Sequence, residues 1–439
     1  MKKKCNQKRS KIYGNRAYRM LQILAWSLLL SICLFGCGGA NDAAVPSGPQ
    51  PMNAKDADTP IIQPQREMRG VWIASVGNIN YPTSADTTVA QRQEELEKIV
   101  EHCVEMKLNT IFFQVRPAAD ALYASSYFPV SLFFSETRTL DFDPLAYLIQ
   151  LCDAYDIDVY AWINPLRITY TGSTFADLPE DHVAKTHPDW VIRYGSMYYF
   201  DPGVPQLRTY IASAAAEIAA NYDVTGIAFD DYFYPYPVTD ENGKTVVFDD
   251  SESYATYGEN ISLADWRRNN INSLIRETYE TIKAVNQNCR FGVSPFGIWR
   301  NDDGSNGGSA TNGLSAYDTL YCDALTWAKD GYVDFLAPQL YWQCDFDRAS
   351  FSVLADWWDT QLQGTGISLY ISHAAYQYLS WNISGEMLRQ INDARTKKTY
   401  RGSIFYGYDA LVNNDCQICD ELASLYQDEW LYTGISPLH

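Results

Sequence analysis

Eight short runs of β-branched and aromatic residues recur along this chain: RGVWIASV, NTIFFQV, DVYAWINP, TGIAFDDY, RFGVSPFG, DFLAPQLYW, SLYISHAAY and GSIFYGYDA. Stretches of helical periodicity separate them, among them residues 89–107, 143–156, 205–222, 263–286 and 317–331. Strands that are apolar on both faces and alternate with helices belong to a parallel sheet covered by helices, and eight repeats are the number that closes a cylinder. Asp143 before Pro144 places a side-chain acceptor at a helix N-cap with proline in the first turn, and Pro205 takes the same first-turn position. A doubly wound open sheet shares this alternation, but no glycine-rich phosphate loop follows the first run. The expected fold is α/β, a (β/α)8 TIM barrel, with long βα loops, residues 167–204 and 233–262, after strands three and four. Both follow strand C-termini, the face on which such barrels build their sites.

The fourth run, within VTGIAFDDYFYP, ends on two adjacent acids, Asp230 and Asp231. Unpaired charge in a dry core is costly, so each is either neutralised by a partner or stands at an open end reached by water and substrate. In a barrel the polar residues at the other strand ends converge on the same mouth. These are Gln114 and Arg116 from strand two, Asn164 and Arg167 from three, and Ser294 with the following Trp299 from five. Strand six adds Gln339, Tyr341 and Trp342, seven adds Ser372 and His373, and eight adds Tyr408 and Asp409, while Asp120 follows strand two and Tyr232 follows the acid pair. Amides and charged groups hydrogen-bond sugar hydroxyls, aromatic faces stack on sugar rings, and carboxylates supply the acid, base or nucleophile of glycoside cleavage. Asp230 leads as the catalytic candidate, because carboxylates at the end of strand four in such barrels tend to be catalytic. Each residue also has a structural reading: Asp231 as partner of Arg267 or Arg268, Arg116 and Arg167 as braces, the aromatics as packing.

Other chemistries have less support. Five histidines occur and none are spaced as a ligand pair, so neither a metal nor a cofactor is expected, and His373 reads as a hydrogen-bonding residue. No G-x-S-x-G elbow is present, and Ser294 before Pro295 reads as structural. Residues 1–36 carry eight Lys or Arg and no acid, so their removal takes the formal charge from −19 to −27. A surface that acidic repels phosphate backbones and argues against nucleic acid as a partner. The basic stretch to residue 20 and the apolar run after it read as an export signal peptide over residues 1–36, and the small, Pro-rich residues 37–66 as a flexible tether to a folded domain at 67–439. Seven of the ten cysteines lie beyond Cys37, an odd number that implies no full disulfide framework. Cys103 and Cys152 fall on apolar helix faces as core residues, and the lone Cys416–Cys419 pair is read as a local disulfide or no bond.

Leu34–Cys37, LFGC, resembles a bacterial lipobox, in which the cysteine receives lipid and becomes the first residue. That resemblance implies lipidation at Cys37 and a protein held on the outer membrane or periplasmic face of the cell envelope through its anchor alone; a single spanning anchor is the alternative. The runs RGVWIASV, TIFFQVRP, FDPLAYLIQLCDAYDIDVYAWINPLR, HPDW, DPGVPQLRTYI, GIAFDDYFYP, DWRRNNINSLI, FGVSPFGIWRN, APQLYW, DWW and GSIFYGYDAL resemble the glycosyl hydrolase-like 10 family, the DUF187 lipoproteins, from about residue 67 to the C-terminus. Its members include a divisome-associated glycosidase acting on peptidoglycan glycan strands stripped of stem peptides. Within that resemblance, Gly226 to Asp230 is similar to the Gly-three-residues-Asp pattern by which α-glucosidase-type barrels present a nucleophile from strand four. Those relatives place a Glu after strand five, where FGVSPFGIWR has no carboxylate, so the partner acid falls to Asp231 ahead of Asp120, Glu252 and Asp409. Chitinase-type barrels are similar here too, but two residues past Asp230 they need a Glu where this chain has Tyr232.

The expected function is a cell-envelope lipoprotein glycoside hydrolase acting on a polysaccharide, with Asp230 as nucleophile or base and a second carboxylate as general acid. The missing strand-five Glu motivates the alternative, a carbohydrate-binding barrel without turnover. A third reading, an envelope scaffold docking partners through its acidic surface, implies no glycan binding. The sequence sets no oligomeric state.

Overall fold

The computed structural model describes residues 67–426 apart from 172 and 259; the stretches read as a signal peptide and tether, with Cys37, and residues 427–439 lie outside the described residues. Its strands are β1 (Met68–Ile73), β2 (Thr110–Arg116), β3 (Asp158–Ile163), β4 (Val191–Tyr194), β5 (Met197–Phe200), β6 (Gly226–Phe229), β7 (Arg290–Val293), β8 (Phe335–Leu336), β9 (Ser368–Ala374) and β10 (Tyr400–Tyr406). All but β4 and β5 pair in parallel in chain order, and β10 pairs back onto β1, so the eight expected strands form a closed barrel. Long helices follow them: α1 (Val89–Glu105), α2 (Pro144–Asp153), α3 (Pro205–Asn221), α4 (Leu263–Val285), α5 (Ala324–Asp330), α6 (Phe351–Leu362), α7 (Glu386–Ala394) and α8 (Ile418–Leu425).

The caps follow the chemistry of the chain. Asp143 Oδ1 accepts from the backbone N–H groups of Leu145 and Ala146, both at 3.0 Å, and Thr88 with Gln91 closes a reciprocal box at the start of α1. The helix expected over 317–331 is broken into Ala316–Thr319 and α5. Tyr321 takes a left-handed φ of 54° there and lays its ring against the Arg267 guanidinium, 4.9 Å away. Cys103 and Cys152 are buried core residues as expected, and Cys416 and Cys419 are free thiols.

Alternate residues of each barrel strand fill its interior, with Met68, Trp72, Phe112, Tyr160, Trp162, Phe335, Tyr370 and Ile404 forming one inner cluster. Their neighbours, such as Val71, Ile111, Phe113, Val159, Ile227 and Phe229, pack outward against the helices. Arg290 spans the floor, donating to Tyr370 Oη at 2.5 Å and to Tyr160 Oη and Ser368 Oγ at 3.3 Å. Gly226 shares the inward face with Ala228 and Asp230, and a Cβ there would lie 2.6 Å from both the Arg290 carbonyl and the Tyr160 ring. The glycine thus admits Tyr160 at the floor while the acid four residues on reaches the mouth. Gly226→Ala is expected to destabilise the fold by about 1–3 kcal/mol through overpacking, read as a lower denaturation midpoint.

The connections after β3 and β6 are long, as expected, and those after β2 (117–143) and β7 (294–323) are long as well. The third connection also contains an unforeseen antiparallel hairpin, β4 with β5, turned at Gly195, whose φ is +63°.

Candidate active site

The β6 ladder ends at Phe229, so strict strand alternation no longer governs the next two residues. Asp230 continues the inward face, and a turn closed by Phe233 N–H on the Asp231 carbonyl brings Asp231 within 2.9 Å of Gln339 Nε2 beyond β8. Both acids therefore stand together at the C-terminal mouth. Asp230 is 4% exposed and Asp231 2%, deep enough that any charge they carry is poorly solvated.

Asp230 Oδ2 accepts from Trp162 Nε1 at 3.0 Å and Asn164 Nδ2 at 3.2 Å, and Oδ1 accepts from Tyr232 N–H at 3.3 Å. Burial raises its carboxyl to about 7; the Arg167 charge pulls it down, and the Asp231 charge pushes it up. Asp231 Oδ1 accepts from Gln339 Nε2, and Oδ2 accepts from the Tyr236 hydroxyl. Burial raises this carboxyl too, against the pull of those two donors. Arg267 is engaged by Asp250 (2.6 and 2.8 Å) and Arg268 by Asp265 (2.6 Å), so neither arginine neutralises Asp231.

Asn164 is a positioning residue: while its amide donates to Asp230, its Oδ1 accepts from the Arg167 backbone N–H at 3.0 Å. The Arg167 guanidinium lies over the rings of Tyr232 (4.4 Å) and Tyr170 (5.3 Å), holding a cation beside Asp230. Opposite stand Tyr341 and Tyr406, parallel within 10° at 6.0 Å, with Tyr376 edge-on to both. Tyr341 shares a hydrogen bond with Ser372, which accepts from Trp72 Nε1. Tyr232, Gln339, Tyr341, Trp342, Tyr376 and Tyr406 are partly exposed, giving the mouth an aromatic and amide lining suited to sugar rings.

Other expected ligands are engaged as braces or in packing, or lie away from the acid pair. Gln114 is buried, its Oε1 accepting from the backbone N–H groups of Ser75 and Val76, so it braces the first loop. Arg116 is wholly buried, donating to the Pro165 and Ala118 carbonyls with its guanidinium 4.0 Å from the Phe128 ring; burial lowers its pKa to about 10, and it is a brace. Asp120 lines a cavity between the second and third loops with Arg138 and Ile168, and neither catalytic candidate lines it. His373 points outward because Ser372 takes the inward position; it bonds Gln390 and Ser403 and stacks on Phe351, and burial lowers its pKa to about 4. Trp299 stacks on Trp357 of α6 and donates to Asp323, packing the fifth loop against that helix, while Trp342 meets Phe296 edge-on. Asp409 is exposed in the first turn of Tyr408–Val412, and Tyr408 turns to His102 of α1, so the inward residue of the last strand is Tyr406. Ser294 is structural, donating to the Ala337 carbonyl.

Residues of the site that went unread include Trp162, Tyr406 and Tyr236. Trp162 stands two before Asn164, so period-two counting finds it, whereas Tyr406 and Tyr408 share parity and are separated only by the strand end, where Gly407 at φ 112° opens the helical turn Tyr408–Val412. Tyr236 reaches Asp231 only through loop geometry, which leaves no periodic signal. Among the described residues no group of His, Cys, Asp and Glu is arranged to hold a metal.

Comparison with known proteins places this chain in a family. The model described as glycosyl hydrolase-like 10 matches residues 67–384. The glycosyl hydrolase YngK of Bacillus subtilis (strain 168) is 37% identical over 372 residues, covering 82% of this chain and 72% of that protein. The glycosyl hydrolase DigH of Escherichia coli (strain K12) is 32% identical over 398 residues, 84% of this chain and 88% of that protein. The PgaB (BpsB) glycoside hydrolase domain from Bordetella bronchiseptica shares the fold at a TM-score of 0.53 and 12% identity, over 82% of this chain and 99% of that one. Sequence and barrel agree, and the chain belongs to the glycosyl hydrolase-like 10 family.

Proposed function

We propose that the protein hydrolyses glycosidic bonds of a polysaccharide at the bacterial cell envelope, anchored by lipid on Cys37. Glycan strands of peptidoglycan lacking stem peptides are the first candidate substrate, by resemblance to the family. The observation that carries the reading is Asp230 at the end of the fourth barrel strand, buried beside a second acid, with its carboxyl near 7, in an aromatic-lined mouth. Two like charges side by side in a dry site cannot both ionise easily, so the pair keeps a proton to near neutral pH, as glycoside cleavage requires of its two carboxyls. The lipobox-like LFGC supports the anchor.

Incubating the full chain with denuded glycan strands, intact sacculi and a panel of neutral polysaccharides tests the substrate. The expected result is new reducing ends from denuded strands and none from intact sacculi. Binding without new ends on every substrate would favour the carbohydrate-binding barrel, a reading supported by the absence of any carboxylate in the stretch Ser294–Arg300 after β7. Proton NMR of the first product then separates retention from inversion.

A further inference from the structure

Hydrolysis by the Asp230–Asp231 pair needs one carboxyl protonated and the other ionised, and the hydrogen bonds around them are unequal. Both oxygens of Asp231 face donors: Gln339 Nε2 on Oδ1 and the Tyr236 hydroxyl on Oδ2. The Gln339 amide also donates to the Ser294 carbonyl at 3.0 Å, so its NH₂ end is fixed toward the acid and cannot turn into an acceptor. Asp230 concentrates its two side-chain donors on Oδ2, and Oδ1 holds only the 3.3 Å backbone contact. Resting on the glycosidase reading, we infer that Tyr236 and Gln339 hold Asp231 as the carboxylate and that Asp230 Oδ1 carries the proton given to the glycosidic oxygen. These roles are the reverse of those implied by the α-glucosidase pattern.

Tyr236 is a positioning residue, and its own support is unusual. It sits between Pro235 and Pro237, which restrict the backbone on either side. The Tyr194 hydroxyl donates to the Tyr236 carbonyl and accepts from Val238 N–H, both at 3.1 Å. The ring meets Tyr232 and Phe296. The β4–β5 hairpin thereby reaches the acid pair through Tyr194 and Tyr236. The other titratable groups facing the pair are Arg116 of β2, Arg167 after β3, Tyr232 next to the pair itself, Cys322 before α5, Tyr341 after β8 and Tyr406 of β10. The arginines are the cations among them, and among the described residues no further carboxylate stands there to compete for the proton.

The steps balance on this assignment. The Asp230 proton moves to the glycosidic oxygen as the bond from that oxygen to the anomeric carbon breaks, its electron pair leaving with the oxygen. With retention, the Asp231 carboxylate bonds the anomeric carbon; water then delivers hydroxide to that carbon and a proton to Asp230 as the bond to Asp231 breaks, its electron pair returning to the carboxylate. With inversion, Asp231 takes the proton of the attacking water directly.

Infrared titration of the carboxyl groups of the full chain, alongside the pH profile of kcat/KM, tests the assignment. A carboxyl titrating near pH 7 is expected to vanish in Asp230→Asn and to move to lower pH in Asp231→Asn, where the neighbouring charge is gone. Tyr236→Phe, which keeps the ring, is expected to raise the ionisation of Asp231 by about one pH unit, a tenfold change in proton affinity, and to lift the acid limb of kcat/KM equally. Tyr194→Phe moves that limb the same way by less. A near-neutral titration that survives Asp230→Asn, or an acid limb unmoved in a folded Tyr236→Phe protein, overturns the inference. Absence of turnover with these infrared midpoints intact would remove the glycosidase reading while leaving the proton on Asp230.

Discussion

Asp230→Asn is expected to slow glycan hydrolysis by at least about 10³-fold while glycan affinity changes little, since the loss falls on proton transfer and not on the aromatic walls. Substrates whose leaving group needs little protonation, such as nitrophenyl glycosides, should lose less. Asparagine keeps an oxygen toward Trp162 Nε1 and Asn164 Nδ2, so the hydrogen bonds that orient the side chain survive. A second readout separates a catalytic acid from a structural one. The folded state holds the Asp230 proton to about pH 7, whereas the unfolded chain releases it near the ordinary carboxylate value of 3.8. Between those values the unfolded state binds fewer protons, so stability falls as pH rises; the cost is absent below about pH 4 and complete above about pH 7. It is on the order of 2–4 kcal/mol, and the neutral amide does not incur it. The variant should therefore melt higher than the parent at pH 8 and equally at pH 4, whereas a purely structural Asp230 would make it melt lower at both.

The fold was legible because every barrel strand is covered on both faces, which leaves runs too apolar for one-sided sheets and spaced by helices of clear period. The candidate catalytic pair was legible for a related reason: Gly226 and Asp230 lie four apart on one inward face, the first excluded from having a side chain by Tyr160, the second carried to the mouth. Side-chain direction at the other strand ends was less legible. His373 is one residue out of register with the inward face, Tyr408 lies past the end of the last strand where Gly407 turns the chain into a helix, and at a short strand such as Phe335–Leu336 the pattern is too brief to set parity. Gln114 and Arg116 do lie at the mouth but are consumed by backbone groups of the loops they brace, and residue type does not distinguish a brace from a ligand. Tyr236 and Tyr194 act across connections whose course depends on tertiary packing, so neither has a local signature.

Glu67→Ala is expected to be among the most destabilising single changes in the domain. Glu67 precedes β1 and is fully buried; Arg395 donates to both its oxygens at 2.8 and 2.6 Å, Tyr400 Oη donates at 3.0 Å, and Arg69 Nε stands at 3.4 Å. The carboxylate links the first strand to the end of α7 and to the last strand, and the Arg69 guanidinium in turn lies 4.0 Å from the Tyr426 ring beyond α8. This is the seam where the barrel closes, β10 on β1, and it has no chain connection of its own. Removing the acid leaves two buried guanidiniums without a counter-charge, a change that costs about 3–5 kcal/mol, or a fall in Tm on the order of 10 °C. Asp345→Ala breaks a bidentate pair with Arg389 in which the Asp345 side chain is 76% exposed, and should cost no more than about 1 kcal/mol. Thermal melts of the two variants beside the parent decide the matter: equal, small shifts would mean that closure at this seam rests on the backbone ladder and apolar packing alone. A large shift confined to Glu67→Ala would show that the barrel depends on one buried carboxylate at its N-terminal face, far along the strands from the two at its mouth.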